Sequence, residues 1–271
     1  MRVFVTRRVR FSAAHSYQNL PQVGTDAAVA NGLKGTCKIH GHNYVVDLTC
    51  AGELDATGMV VNITEIDVVL KGLLAPLDQS FLEEDFPNVA WGLPTTENLA
   101  RWIWMNCDGK LPNGQLVSVR VQETDNLWSE YRGSEKREVF VTKSYEFAAA
   151  HRLHSRKLSD EDNLLVFGKC NNPHGHGHNY GLDITIRGIV DERTGMACDI
   201  GTFDEIVNTR IINRFDHKHL NLDLPEFADV NPTSENIAVV IWNLLKPEFA
   251  ESLYKVRVRE TERNSFEYYG E

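Results

Sequence analysis

His40-Gly41-His42-Asn43-Tyr44 and His176-Gly177-His178-Asn179-Tyr180 are one motif written twice, and their reading decides the fold of this 271-residue chain. Each copy follows a matched segment that ends in a further histidine, Phe11-Ser12-Ala13-Ala14-His15 and Phe147-Ala148-Ala149-Ala150-His151. Downstream, Pro94-Thr95-Thr96-Glu97-Asn98 pairs with Pro232-Thr233-Ser234-Glu235-Asn236. Val119-Arg120-Val121-Gln122-Glu123-Thr124 pairs with Val256-Arg257-Val258-Arg259-Glu260-Thr261. The blocks keep their order at spacings of 136 to 138 residues, so the chain is read as a tandem duplication. One repeat spans 1–135 and the other 136–271, joined at the charged stretch Gly133–Glu138.

Both repeats predict the same elements. Val3–Phe11 and Val139–Phe147 read as opening strands, and Asn43–Gly52 and Asn179–Val190 alternate apolar and polar residues as half-buried strands do. Ile63–Leu74 and Phe203–Phe215 have helical apolar spacing. Second helices are expected over Thr96–Cys107 and Ser234–Leu245, with Thr95 and Thr233 as N-caps and Pro247 as the stop of the later one. Two short strands close each repeat, Tyr254–Glu260 and Phe266–Tyr269 in the second. The order ββααββ predicts an α+β unit, an antiparallel sheet with helices on one face.

Composition narrows the function classes. The 42% hydrophobic and 24% charged content is that of a soluble globular protein. A net charge of −10 argues against a nucleic-acid partner, which needs a basic face, but leaves room for a local basic cluster on a small anion. No apolar run approaches the ~20 residues of a membrane span. Arg7 and Arg8 interrupt the start before a signal-peptide core forms. Five cysteines, Cys37, Cys50, Cys107, Cys170 and Cys198, form no C-x-x-C pair, which fits a reducing cytoplasm.

The chemistry concentrates on histidine. Alternation puts both imidazoles of His-x-His on one face of a strand, and the upstream His sits where an antiparallel partner can bring it alongside. Three His with one open position is a catalytic zinc arrangement. Six of the ten histidines fall into two such sets, His15, His40, His42 and His151, His176, His178, so up to two zinc ions per chain are expected. Cys170 lies in the Gly168-Lys169-Cys170-Asn171-Asn172-Pro173 loop before His176, where a nearby cation would make its thiol a usable base. Taken alone, it reads more readily as a small buried residue. Asp216-His217 is a candidate proton-transfer pair, weak by itself. Glu260, at a strand end, can accept two parallel N–H bonds from a guanidine-like ring edge, or it is simply solvated. Glu97 and Glu235 are read as first-turn residues favoured by the helix dipole.

With these residues assembled, the second repeat closely resembles the 6-pyruvoyl-tetrahydropterin synthase family. The likeness runs through Leu158–Leu164, Phe167–Pro173, His176–Tyr180, Asp216–Lys218, Phe227–Val230 and Glu260-Thr261, and the first repeat resembles a diverged member. The resemblance implies a tunnelling fold (T-fold), whose barrel is closed by oligomerisation with active sites between subunits. It implies zinc on His151, His176 and His178, and a proton-transfer set of Cys170, Asp216 and His217. A pterin ring would be anchored by Glu260 with Thr233 nearby, and by Glu123 in the first repeat. The implied reaction is a zinc-dependent lyase step that turns 7,8-dihydroneopterin triphosphate into 6-pyruvoyl-tetrahydropterin with loss of triphosphate.

The implied assembly is a homotrimer, a pseudo-hexamer, or a multiple. The first repeat departs from the pattern, with Cys37 only three residues before His40 and Asp78-Gln79 at the Asp-His position. Gln cannot titrate, so this repeat is expected to be inactive or impaired. Alternatives are a 6-carboxy-tetrahydropterin synthase of queuosine biosynthesis on the same substrate, and, for the first repeat above all, a non-catalytic pterin- or purine-binding module.

Overall fold

The computed structural model describes residues 1–17, 38–87, 89, 91–111 and 113–271. These form two compact units, Met1–Thr142 with Arg187–Thr202, and Lys143–Ile186 with Phe203–Glu271.

The first unit contains β1 (Val3–His15), β2 (His40–Gly52), α1 (Ile63–Leu74), β3 (Ser80–Phe81), α2 (Thr96–Cys107), β4 (Gln115–Thr124) and β5 (Leu127–Tyr131). Its strands run in the order β5-β4-β2-β1-β3. β1 and β2 pair antiparallel without interruption from Val3↔Gly52 to His15↔His40. The inner face of β2 carries Tyr44, Val46, Leu48 and Cys50, all fully buried. Helix α1 turns Ile66, Leu70 and Leu74 inward, and α2 turns Leu99, Ile103 and Cys107 inward, four residues apart as a helical stripe requires. Asn62 caps α1, and Thr95 caps α2 by accepting from Asn98 N at 3.2 Å.

The second unit repeats the plan with β6 (Glu138–His151), α3 (Asp160–Phe167), β7 (His176–Ile189), α4 (Ile200–Val207), β8 (Lys218–His219), α5 (Ser234–Phe249), β9 (Leu253–Thr261) and β10 (Asn264–Tyr268). The outer ends of β6 and β7, and the start of α4, belong to the first unit. Strand order is β10-β9-β7-β6, with β8 beside β6. Phe147 stacks on Tyr180 at 5.2 Å between ring centroids, as Phe11 does on Tyr44 at 4.9 Å in the first unit.

Several expectations need correction. The sheet is mixed, because the two-residue strands β3 and β8 pair parallel with β1 and β6. The opening strands extend beyond Phe11 and Phe147 and end on His15 and His151, the strand-end place expected of the third histidine. The helix expected over Phe203–Phe215 starts at Ile200 and widens at Asn208–Ile212, where Asn213 N reaches back to Asn208 O. Pro247 does not stop α5, which continues to Phe249. A proline removes one backbone bond, and in the last turn little helix remains for it to disrupt. Helix α3 has no counterpart among the expected elements, and Ser159 caps it on Asp162 N. Among the described residues, no helix is long and apolar enough to cross a membrane.

Candidate metal centre

Strand alternation carries His40, His42 and Tyr44 to one face of β2, and the register His15↔His40 sets the third imidazole opposite. His15 Nε2 lies 3.0 Å from His40 Nε2, and in the second unit His151 Nε2 lies 3.2 Å from His176 Nε2. One ligand atom from each member of a triad falls within 4.8 Å of the others in both units. Two nitrogens on a tetrahedral ion, each about 2.05 Å from it, stand about 3.3 Å apart, so these separations suit a shared divalent cation. The buried Nε2 atoms of His42 and His178 lack a hydrogen-bond partner, which also fits a metal ligand.

Outer partners orient the rings. His151 Nδ1 meets Pro232 O at 2.8 Å and His40 Nδ1 meets Lys38 O at 2.7 Å, so each Nδ1–H donates outward and leaves Nε2 free to ligate. Tyr44 and Tyr180 hydroxyls each lie 3.3 Å from Nδ1 of His15 and His151. Burial, reinforced by His40 and His42, pushes the His15 imidazole down to about 3. Burial also lowers His42, His151 and His176. Neutral imidazoles are the ligating form.

The same shifts set a pH dependence for metal-free protein. An unfolded histidine takes its proton near about pH 6.5, and the folded ones resist it. Stability is therefore expected to fall steadily with acidification from about pH 6.5 towards the His15 value of about 3. Urea midpoints of chelator-treated protein check this. Equal midpoints at about pH 7 and about pH 5 would contradict the burial of neutral imidazoles.

The strand-end carboxylates face the triads. Glu260 Oε1 is 3.8 Å from Nε2 of both His151 and His178, and Glu123 Oε1 is 3.3 Å from His42 Nε2. Ser234 Oγ donates to Glu260 at 3.0 Å, whereas Thr233 spends its hydroxyl on the α5 cap. The sequence pattern alone did not single out Ser234 as a partner of Glu260.

Cys170 sits in the turn Gly168–Asn171 as a half-buried free thiol. Leu153 N donates to its carbonyl at 2.8 Å, tying the turn to the chain just past His151. The Tyr180 phenol is pushed up by burial first, then by Glu260 and Cys170, which puts the thiol within electrostatic reach of that ring. Asp216 Oδ2 meets His217 Nδ1 at 2.8 Å, and Asp216 Oδ1 accepts from Ala148 N at 2.8 Å. Those bonds, the Ala148 one first, lower the Asp216 carboxyl. The His217 side chain is 83% exposed. Among the described residues, no hydrogen bond or ion pair joins Cys170 to this pair.

The first unit reproduces the backbone of that loop. Ser12 N donates to Asp78 Oδ1 at 2.8 Å, Gln79 N donates to Ser12 O at 2.6 Å, and φ is 63° at Gln79 against 57° at His217. Gln79 lines a cleft with Ser12, Ala13, Ala14, Gly41, His42, Asn43 and Ser80. Cys37, the first-repeat counterpart of the thiol, lies outside the described residues.

Glu97 and Glu235 part company. Glu235 is exposed. Glu97 is fully buried beneath residues 195–197, accepting from Ala197 N at 3.2 Å and from Thr96 Oγ1 at 3.0 Å, and burial raises its carboxyl. Thr95 Oγ1 donates to Gly195 O at 2.6 Å. Gly195 has φ +69°, and a Cβ there would come 2.5 Å from Asn98 Nδ2, so glycine alone fits this approach. A segment of the second repeat thus completes the first unit around Glu97. Thr57-Gly58-Met59 and Thr194-Gly195-Met196, a further repeated block, is the sequence signal for it.

The family model for 6-pyruvoyl tetrahydropterin synthase matches residues 4–134 and again 140–271. The chain belongs to that family. The tunnelling fold implied by the resemblance is accordingly the fold of both repeats. Among similar proteins, the 6-pyruvoyl tetrahydrobiopterin synthase of Drosophila melanogaster is 50% identical over 136 residues, 48% of this chain and 79% of its own. The Homo sapiens enzyme of that name is 46% identical over 51% of this chain and 97% of its own. An Archaeoglobus fulgidus relative named for 6-carboxy-5,6,7,8-tetrahydropterin synthesis is 29% identical over 45% of this chain and 89% of its own. The solved structure of Caenorhabditis elegans 6-pyruvoyl tetrahydropterin synthase aligns with 49% of this chain and 96% of its own, at 40% identity and a TM-score of 0.48.

Proposed function

We propose that the chain is a zinc-dependent lyase converting 7,8-dihydroneopterin triphosphate to 6-pyruvoyl-tetrahydropterin and triphosphate, with the second repeat as its active centre. The observation that carries the reading is the convergence of Glu260 on His151 and His178, with both Nε2 atoms 3.8 Å from its Oε1. That geometry sets an acceptor for a pterin's guanidine-like edge beside a ligand set for a cation. The 50% and 46% identities to relatives named for this product, against 29% for the 6-carboxy relative, support the pyruvoyl product over the carboxy one.

In this reading His151, His176 and His178 hold zinc, which when bound polarises the side-chain hydroxyls of the substrate. Glu260 accepts two N–H bonds from the ring and is itself held by Ser234. Cys170 takes a side-chain proton. Asp216 orients His217, and the exposed imidazole moves a proton in a site on a neighbouring copy. Rearrangement of the side chain with loss of triphosphate balances as an internal redox change and needs no added oxidant. A set shared between copies requires self-association, and solution mass tests whether three chains or a multiple assemble.

The first repeat holds a triad and Glu123 but Gln79 in place of the proton carrier, and on this reading it binds metal without turning over substrate. The deciding experiment incubates zinc-loaded protein with dihydroneopterin triphosphate and weighs the pterin formed. A product of the 6-pyruvoyl mass is expected. A 6-carboxy product, or unchanged substrate, would overturn the reading.

A further inference from the structure

Tyr17 stands two residues past the triad member His15, and the duplication gives it a counterpart in Leu153, two residues past His151. The two side chains fare differently. Leu153 is partly exposed, whereas Tyr17 is only 5% exposed. The Tyr17 ring makes a T-shaped contact with the His15 imidazole, with ring centroids 4.8 Å apart and planes at 71°. Burial first, then the charges of Glu123, Tyr44, Glu97 and Glu83, push its phenol well above the usual range. All four groups therefore lie within electrostatic reach of it, although they come from β4, β2, α2 and the segment after β3.

Two of these groups belong to the first-repeat centre. Glu123 ends β4 with Oε1 at 3.3 Å from His42 Nε2, the place that Glu260 holds beside the second triad. Glu97 opens α2 and is closed over by Gly195–Ala197. The hydroxyls of the first unit are arranged differently as well. Ser234 donates to Glu260 in the second unit, but its counterpart Thr96 meets Glu97 Oε2 at 3.0 Å and Ser129 Oγ at 2.7 Å. Apolar packing at position 17 would be served by the leucine that the second repeat uses. Tyrosine instead brings a flat ring with one polar edge to carboxylates and an imidazole, which is the chemistry of a small heteroaromatic ring.

We propose that Tyr17 occupies the ring pocket of the first repeat, its phenol standing where the edge of a bound pterin stands beside Glu260 in the second. The proposal rests on the reading of Glu123 and Glu260 as ring anchors. Tyr17 closes the first repeat to substrate. That is a second reason, independent of Gln79, for this repeat to hold metal without turnover. Leu153, shorter and without a ring, leaves the matching space to the ligand. The residue two places past the first triad histidine thus decides which repeat admits the ring.

The test counts ring-binding sites by calorimetry, titrating unphosphorylated dihydroneopterin into the full-length zinc-loaded protein. Three proteins are compared: the parent, Tyr17→Leu, which copies the second repeat, and Leu153→Tyr, which copies the first. The parent is expected to bind about one equivalent per chain, Tyr17→Leu about two, and Leu153→Tyr a small fraction of one, because a side chain filling a pocket excludes a ligand of the same shape. Zinc content should be the same in all three. A gained site cannot come from damage to the fold, and Leu153→Tyr decides the matter if Tyr17→Leu does not fold. Two equivalents in the parent, or binding by Leu153→Tyr equal to the parent's, would overturn the proposal. One equivalent in both the parent and Tyr17→Leu would remove Tyr17 from the pocket and leave the anchor reading standing. No binding by the parent beside one equivalent in Tyr17→Leu would do the reverse, removing the second-repeat anchor and keeping the role of Tyr17. No binding by either would remove both.

Discussion

Cys170→Ala is expected to lower turnover by about 10²–10⁴-fold, the usual contribution of a positioned acid or base, with metal content unchanged. The thiol is not among the three ligand atoms that converge in the second unit, so its removal leaves the cation's site whole. His217→Ala is expected to do the same, and His217→Gln, which copies Gln79 of the first repeat, should be no better. Because no bond joins Cys170 to Asp216 or His217 within one copy, the two defects are expected to complement. Protein refolded or co-expressed as a mixture of Cys170→Ala and His217→Ala chains should regain part of the lost turnover. Near-normal turnover in either single variant would show that the proton-transfer set is misassigned. No recovery in the mixture would place both groups in one copy's site. Glu260→Gln separates binding from proton transfer. It keeps Ser234 a partner and removes the charge that the ring edge meets, so KM should rise more than kcat falls.

The second large effect distinguishes the two triads. His151→Ala is expected to abolish turnover and to cut bound zinc from about two equivalents to about one, since a three-ligand site with one ligand removed holds metal poorly. His15→Ala is expected to cut zinc by the same amount with turnover retained, because Gln79 leaves the first repeat without a titrating group. Metal analysis beside steady-state rates reads both. Equal loss of turnover from the two substitutions would mean that the first-repeat metal takes part in catalysis. Full zinc in both variants would mean that the histidines are not its ligands. Cys37→Ala should likewise leave turnover almost unchanged.

By itself the sequence determined the duplication, the strand-borne His-x-His pairs with their third histidine, and the Thr95 and Thr233 caps. Each of these follows from short-range rules. Period-two alternation puts His40 and His42 on one face, a threonine before a helical stripe caps it, and blocks recurring in order at nearly the same spacing mark a copy. The helix ends at Val207 and Phe249 were not legible, because packing decides how far a widened turn or a proline is tolerated.

Only the tertiary structure decided which groups meet across the chain. It set Ser234 on Glu260, and it turned both strand-end carboxylates towards imidazoles. It buried Glu97 beneath Gly195–Ala197 while leaving Glu235 in solvent, although the two occupy the same place in matching local patterns. It also joined Arg152, Lys157 and His219 into one cavity from segments more than sixty residues apart. The physical reason is common to all of them. Propensity and periodicity act over a few residues, whereas burial and charge pairing depend on what the fold brings against a side chain from elsewhere in the chain.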